Sequence, residues 1–219
     1  MFYLDSRNIV VDEVASRDTG IRPTTRVIRR LGVEINFNNV LIGDLILFSP
    51  IEDGATSLAV RNYQRERYRE EHSQWSHAAV YVGDGYMCHA TLDTGVAVSE
   101  VSERILSDRI RFRRPKHQRE VDRCRIAIAA MRRVGEKYHV AGIISRVGKI
   151  FHARETRGLG NEKAMKHLQI CSGLYINSYE LVKGSTCLND SKLDHCPSDL
   201  SVSDYFDDVY VGWLGLKKA

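Results

Sequence analysis

The run Ser76-His77-Ala78-Ala79-Val80-Tyr81-Val82-Gly83-Asp84-Gly85-Tyr86-Met87-Cys88-His89-Ala90 constrains this chain more than any other stretch. Two apolar, β-prone segments flank a Gly-Asp-Gly turn, the signature of an antiparallel hairpin, and each carries one histidine. Side chains alternate along a strand and cross-strand partners share a face, so the loop length decides whether the rings meet. A three-residue loop at Gly83-Asp84-Gly85 sets Val82 opposite Tyr86 and Ala79 opposite His89. His89 then lies on the face of His77, diagonally across the pair. A two-residue loop shifts the register by one and sends His89 to the opposite face. The second glycine suits the positive φ of a bulged three-residue turn, so two imidazoles are expected to converge on one patch of sheet.

Far downstream, Cys171-Ser172-Gly173-Leu174-Tyr175 opens a helical pattern. Cys171, Leu174, Tyr175, Ser178, Leu181 and Val182 fall on one side and Gly184 is the stop, which places a thiol in the first turn of a core helix. The unpaired N–H groups and dipole there favour thiolate over thiol, and the cysteine's own N–H can help hold an oxyanion. Ser172 and Gly173 leave the approach uncrowded. An imidazole can accept the thiol proton at one nitrogen if an acceptor at the other fixes its tautomer. Cys171 is therefore the candidate nucleophile, His77 the candidate base and His89 the candidate orienting group. A lone strand histidine is ordinarily a satisfied core residue. Two at this register, with a helix-opening cysteine elsewhere, point to chemistry.

The rest of the chain bounds the setting. Its 219 residues, 43% hydrophobic and 27% charged, suit a globular domain with a sizeable core. A net charge of +4 from 32 basic and 28 acidic residues gives no reason to expect nucleic acid as a partner. The densest basic cluster, Arg111, Arg113, Arg114 and Lys116, reads as a solvated strand end. Five cysteines form no small-scaffold spacing and are expected to be reduced thiols, with Cys88, Cys124, Cys187 and Cys196 as small buried residues. No secretory signal pattern opens the chain, and Val40 to Phe48 is too short to span a bilayer, so a cytoplasmic protein without a membrane anchor is expected.

Residues 1–38 show no clean period beyond a short helix from Thr25 to Leu31, and are read as a wrapping extension to a catalytic domain over 39–219. Leu41 to Phe48 suits a buried strand. Residues 50–75 are a charged insertion, with Arg61 to Glu71 as a polar helix that is either a lid or simply a solvated face. His77–Val82, Tyr86–His89, Val96–Ser99 and Ile110–Phe112 read as an antiparallel meander. Val121 to Val134 carries Val121, Cys124, Ile128 and Met131 at helical spacing, and Val140 to Phe151 supplies a second helix. The tail from Ser185 reads as loop, with a helical turn at Pro197-Ser198-Asp199-Leu200. Cys187, Asp194, His195 and Cys196 lack paired C-x-x-C units, and Gly158-Leu159-Gly160 follows no strand, so neither metal nor nucleotide is expected and no cofactor is implied.

Together these residues resemble the NlpC-type cell-wall peptidases, a papain-like family. Its motifs match Gly135-Glu136-Lys137-Tyr138, Cys171-Ser172-Gly173, Gly43-Asp44-Leu45-Ile46-Leu47-Phe48 and Ser76 through Ala90, with the strand motifs ahead of the cysteine helix. That order resembles the circularly permuted branch and the related lecithin:retinol acyltransferase group. The resemblance covers roughly residues 40 to 205. It implies an α+β, papain-like fold, an antiparallel sheet packed against helices, and a triad of Cys171, His77 and His89. Tyr138 would line the cleft, and Trp75, Ser76 and Ser172, bordering base and nucleophile, join it as candidate substrate contacts. Ile170 departs from the acid that usually precedes the cysteine, and no separate wall-binding module is evident.

The resemblance implies amide hydrolysis through a thioacyl-enzyme, with a peptidoglycan stem peptide as substrate. The missing signal is reconciled with a wall substrate by a toxin delivered to rival cells through a dedicated secretion machine, and such an effector would have a cognate immunity protein. A phage enzyme or a cytoplasmic recycling enzyme reconciles them equally. Transfer of an acyl group, or hydrolysis of a lipid ester or thioester, uses the same intermediate. An inactive papain-like binding module would require a broken triad.

Overall fold

The computed structural model describes residues 1–14, 31–91, 94–137, 171–189 and 196–215. The expected helix over Val140–Phe151, all but the last residue of the one over Thr25–Leu31, and the candidate residues Tyr138, Asp194 and His195 lie outside them. Nine strands are described. They are β1 (Val11–Val14), β2 (Val33–Ile35), β3 (Leu45–Pro50), β4 (His77–Gly83), β5 (Tyr86–Thr91), β6 (Gly95–Glu100), β7 (Asp108–Pro115), β8 (Phe206–Val209) and β9 (Trp213–Gly215). The helices described are α1 (Ala55–Arg65), α2 (Glu70–Ser73), α3 (Glu120–Met131), α4 (Cys171–Lys183) and α5 (Pro197–Val202).

The architecture is α+β: an antiparallel sheet packed against helices. Six strands run in the order β6-β5-β4-β3-β7-β8. The hairpins of β4, β5 and β6 make the expected meander, but β7 crosses to the far side of β3 instead of pairing with β6. Both faces of the sheet are covered, which is why β3 and β4 read as unbroken apolar runs rather than alternating ones. Leu45, Leu47, Ala78, Val80, Cys88 and Ala90 face α3 and α4 and pack on Ile126, Ala130, Leu174 and Tyr175. Ile46, Phe48, Ala79, Tyr81, Met87 and Phe112 face the other way, against Val33, Ile35 and Trp213. Each fully buried Leu, Ile or Phe stabilises by about 1.5–3 kcal/mol.

That second cover is a small sheet of order β1-β9-β2. The tail expected to be loop supplies its central strand, and β1 and β2 from the N-terminal extension flank it, one parallel and one antiparallel. Strands of three or four residues leave little local signal, and here each is held by a partner about two hundred positions away in sequence.

Several elements sit otherwise than their sequence patterns suggest. The strand after the Gly43-Asp44 turn begins at Leu45, not Leu41. Gly43 has φ +87, and a Cβ there would lie 2.4 Å from the Arg123 carbonyl oxygen, so glycine is required twice over. Its carbonyl accepts the Tyr175 hydroxyl at 2.9 Å, tying this turn to α4. In α3 the stripe Val121, Ile128, Met131 faces solvent, and the small side chains Ala127 and Ala130 with Ile126 face the core. Leu181 of α4 is likewise exposed. Arg111 and Arg113 are not a solvated strand end. They are 3% and 6% exposed, and their guanidiniums bind Asp208, the Ser201 hydroxyl and the carbonyls of Leu200, Ser201 and Phe206.

The charged insertion forms α1 and α2, two pieces rather than one helix. It is bolted to α5. Gln64, fully buried, donates to the carbonyls of Ser73 and Trp75 and accepts the Ser198 N–H. The Ser198 hydroxyl donates to the His72 carbonyl, the Tyr68 hydroxyl binds Asp199, and His72 Nδ1 meets the Ser201 hydroxyl at 2.9 Å. These contacts fix the chain as it enters β4 at His77.

Candidate active site

The hairpin places the two histidines by a route that differs from the expected one. Ala79 does pair with His89, but Gly83 pairs with Tyr86 and the register shifts between Tyr81 and Gly83. The loop is thus two residues, Asp84 at φ 51 and Gly85 at φ 79, and an extra residue in β4 restores the parity that a two-residue loop would otherwise reverse. His77 sits opposite Phe48 of β3 and shares its face, with ring centroids 5.8 Å apart. His77 Nε2 and His89 Nδ1 share a hydrogen bond of 3.0 Å with the rings edge to face. His89 Nε2 lies 2.9 Å from the Ser99 hydroxyl of β6. His77 therefore keeps Nδ1 for another partner.

Cys171 is the first residue of α4 and is buried. Helix α4 packs on the face of Ala78 and Val80, whereas both imidazoles occupy the opposite face, so Cys171 and His77 approach the first residues of β4 from two sides. The thiol lies against the backbone N–H of Ala78, next in sequence to His77, and is also reached by its own N–H and that of Ser172. Among the hydrogen bonds of the described residues, none joins the thiol to the His77 ring. Such contacts are commonly long before substrate is bound and tighten in the complex.

Electrostatics favour neutral partners at rest. Burial, followed by the Arg104 charge and then His89, holds His77 well below the ordinary imidazole range. Burial, then Arg104, brings His89 down to about 4. Burial raises the Cys171 thiol, against the Ala78 and Ser172 N–H groups and the Arg104 charge, which favour thiolate. The helix terminus therefore does not outweigh desolvation, and the thiol rests protonated. Cys88, by contrast, is pushed up to about 11 by burial with nothing opposing it.

Ser99 and Arg104 escaped the sequence reading. Ser99 could have been found from the β5–β6 register, in which Met87 pairs with Ser99 and both share the His89 face. Arg104 closes a 3-10 turn, Val101–Arg104, and carries no motif. Its guanidinium stacks over Phe48 at 4.8 Å and donates to Asp108 at 3.0 Å. Of the candidate substrate contacts, Ser76 is half-buried, with its N–H donating to the Phe48 carbonyl. Trp75 is fully buried, its indole N–H on the Glu71 carbonyl, and Ser172 is buried as well, so neither presents its side chain to solvent. All five cysteines are free thiols. Among the described residues, no three His, Cys, Asp or Glu side chains gather as a metal-holding group, and no helix is long and apolar enough to cross a membrane.

No protein-family model matches the chain, and no curated protein matches it. Among solved structures it is similar to the metalloprotein yiiX of Escherichia coli O157:H7, a DUF1105 protein, with a TM-score of 0.53 and 15% identity over 78% of this chain and 97% of that one. At that identity the likeness speaks for the fold alone.

Proposed function

We propose that the chain is a cysteine hydrolase of permuted papain-like build that cleaves an amide bond through a thioacyl-enzyme. The observation that carries this is an ordered imidazole pair and a helix-opening thiol that both reach the start of β4: His77 Nε2 is occupied by His89 at 3.0 Å, and Cys171 lies against Ala78, the next residue. In the reaction the sulfur attacks the scissile carbonyl carbon as its proton passes to His77 Nδ1. The Cys171 N–H helps hold the oxyanion, and the imidazolium then returns the proton to the leaving amine. Water, deprotonated by the same ring, releases the acyl group. Because thiol and ring rest neutral, the proton moves during attack and no ion pair is stored beforehand.

The substrate class, a peptidoglycan stem peptide, rests on the motif resemblance of Gly43–Phe48, Ser76–Ala90 and Cys171–Gly173. The solved neighbour is described as a metalloprotein. Among the described residues, no three His, Cys, Asp or Glu side chains gather to hold a metal. Incubating purified sacculi with the protein and with Cys171→Ala, followed by mass analysis of the released peptides, is the test. New peptide termini from the wild type alone are expected. Uncut muropeptides with both proteins, or equal cleavage by both, would refute the proposal, and a lipid acyl adduct on Cys171 would reassign the substrate to acyl transfer.

A further inference from the structure

Two tautomeric arrangements satisfy the chain Ser99–His89–His77, and only one leaves a base for the thiol. If the Ser99 hydroxyl donates to His89 Nε2, the His89 proton must sit on Nδ1 and point at His77 Nε2. The His77 proton is then driven to Nδ1, where no lone pair remains to receive anything from Cys171. If instead Ser99 accepts, His89 carries its proton on Nε2 and its Nδ1 accepts from His77 Nε2–H. His77 Nδ1 is then a free lone pair. Distances of 2.9 and 3.0 Å show that both links are made. A hydroxyl can do either, and Ser99 is only half-buried, which leaves its own proton to solvent.

Resting on the triad assigned above, we propose that Ser99 is a positioning residue: by accepting the His89 Nε2–H it sets the tautomer of both rings and leaves His77 Nδ1 open to the Cys171 proton. Ser99 touches neither thiol nor substrate, and acts through His89. Among the described residues, the charged side chain acting on the relay is Arg104, from the turn after β6, which donates to Asp108 of β7 at 3.0 Å. A serine acceptor orients the relay without adding a carboxylate beside that pair. No bond other than N–H, O–H and S–H changes along the relay. One proton leaves sulfur and one arrives at His77 Nδ1.

Nitrogen-15 NMR of the ring nitrogens in the full-length protein near neutral pH tests the tautomer directly. The expected result is protonated Nε2 and bare Nδ1 on His89. Protonated Nδ1 on His89 overturns the proposal without recourse to any variant. In turnover, Ser99→Ala should lower kcat about tenfold, the scale of one hydrogen bond to a charged group, with KM little changed. Ser99→Thr should restore it. Ser99→Asp, an acceptor only, should keep the His89 tautomer and move the acid limb of kcat/KM to higher pH. Wild-type kcat in Ser99→Ala, or an unmoved acid limb in Ser99→Asp, also overturns it. The two failures separate. A Cys171→Ala protein that still hydrolyses ends the triad assignment, whereas an inactive Cys171→Ala protein with His89 protonated at Nδ1 ends only the role of Ser99.

Discussion

Replacing His89 with Asn should flatten the acid limb of the stability curve. The folded protein holds His89 neutral down to about pH 4, because burial and the Arg104 charge oppose protonation. The unfolded chain takes up that proton near the ordinary imidazole value of about 6.5. Between those two values the unfolded state carries more protons, so the stabilisation is present above 6.5 and lost progressively as pH falls to about 4. A gap of roughly 2.5 units at about 1.4 kcal/mol each gives a ceiling near 3.5 kcal/mol, of which about 3 kcal/mol is lost by pH 4. Other groups titrate in the same range, so the difference between wild type and His89→Asn is the quantity to read. Urea unfolding followed by tryptophan fluorescence from about pH 8 to about pH 4 should show the wild type losing about 3 kcal/mol that the variant does not lose. Parallel curves for the two proteins would refute the claim that the ring is buried and neutral.

The raised Cys171 thiol predicts slow alkylation by iodoacetamide at neutral pH, rising into the alkaline range. Fast alkylation at pH 7, read by intact mass, would mean a stored thiolate instead. Gln64→Ala strips three buried hydrogen bonds and leaves the Ser73 and Trp75 carbonyls and the Ser198 N–H without their partner. At about 1–1.5 kcal/mol for each abandoned group, roughly 3–4.5 kcal/mol of stability should disappear in denaturant titration, and a loss under about 1 kcal/mol would show that water replaces the amide.

The legibility of this chain divides by the range of the interaction. The pairing of Ala79 with His89 was readable because one face of a hairpin must serve both ends of the ribbon. The means was not readable, since an extra residue within β4 leaves no mark that distinguishes it from a longer loop. In α3 the more apolar stripe faces out, because a helix lying close on both a sheet and α4 buries small residues, and Ala127 and Ala130 allow that approach better than Ile128 or Met131. Arg111 and Arg113 looked solvated for want of any local sign that α5 and β8 would cover them with carbonyls and a carboxylate.

From residue identity alone came the antiparallel ribbon with its two imidazoles and a thiol opening a late helix, since each depends on contacts within a few positions or on strict alternation. Tertiary structure decided the rest. It brought the thiol against Ala78 from one side of β4 while the rings lie on the other, set Ser99 and Arg104 around His89, and laid the last strand between the first two. It also reversed the protonation that a helix N-terminus alone favours for Cys171, because desolvation depends on everything packed around a group and no short segment records that.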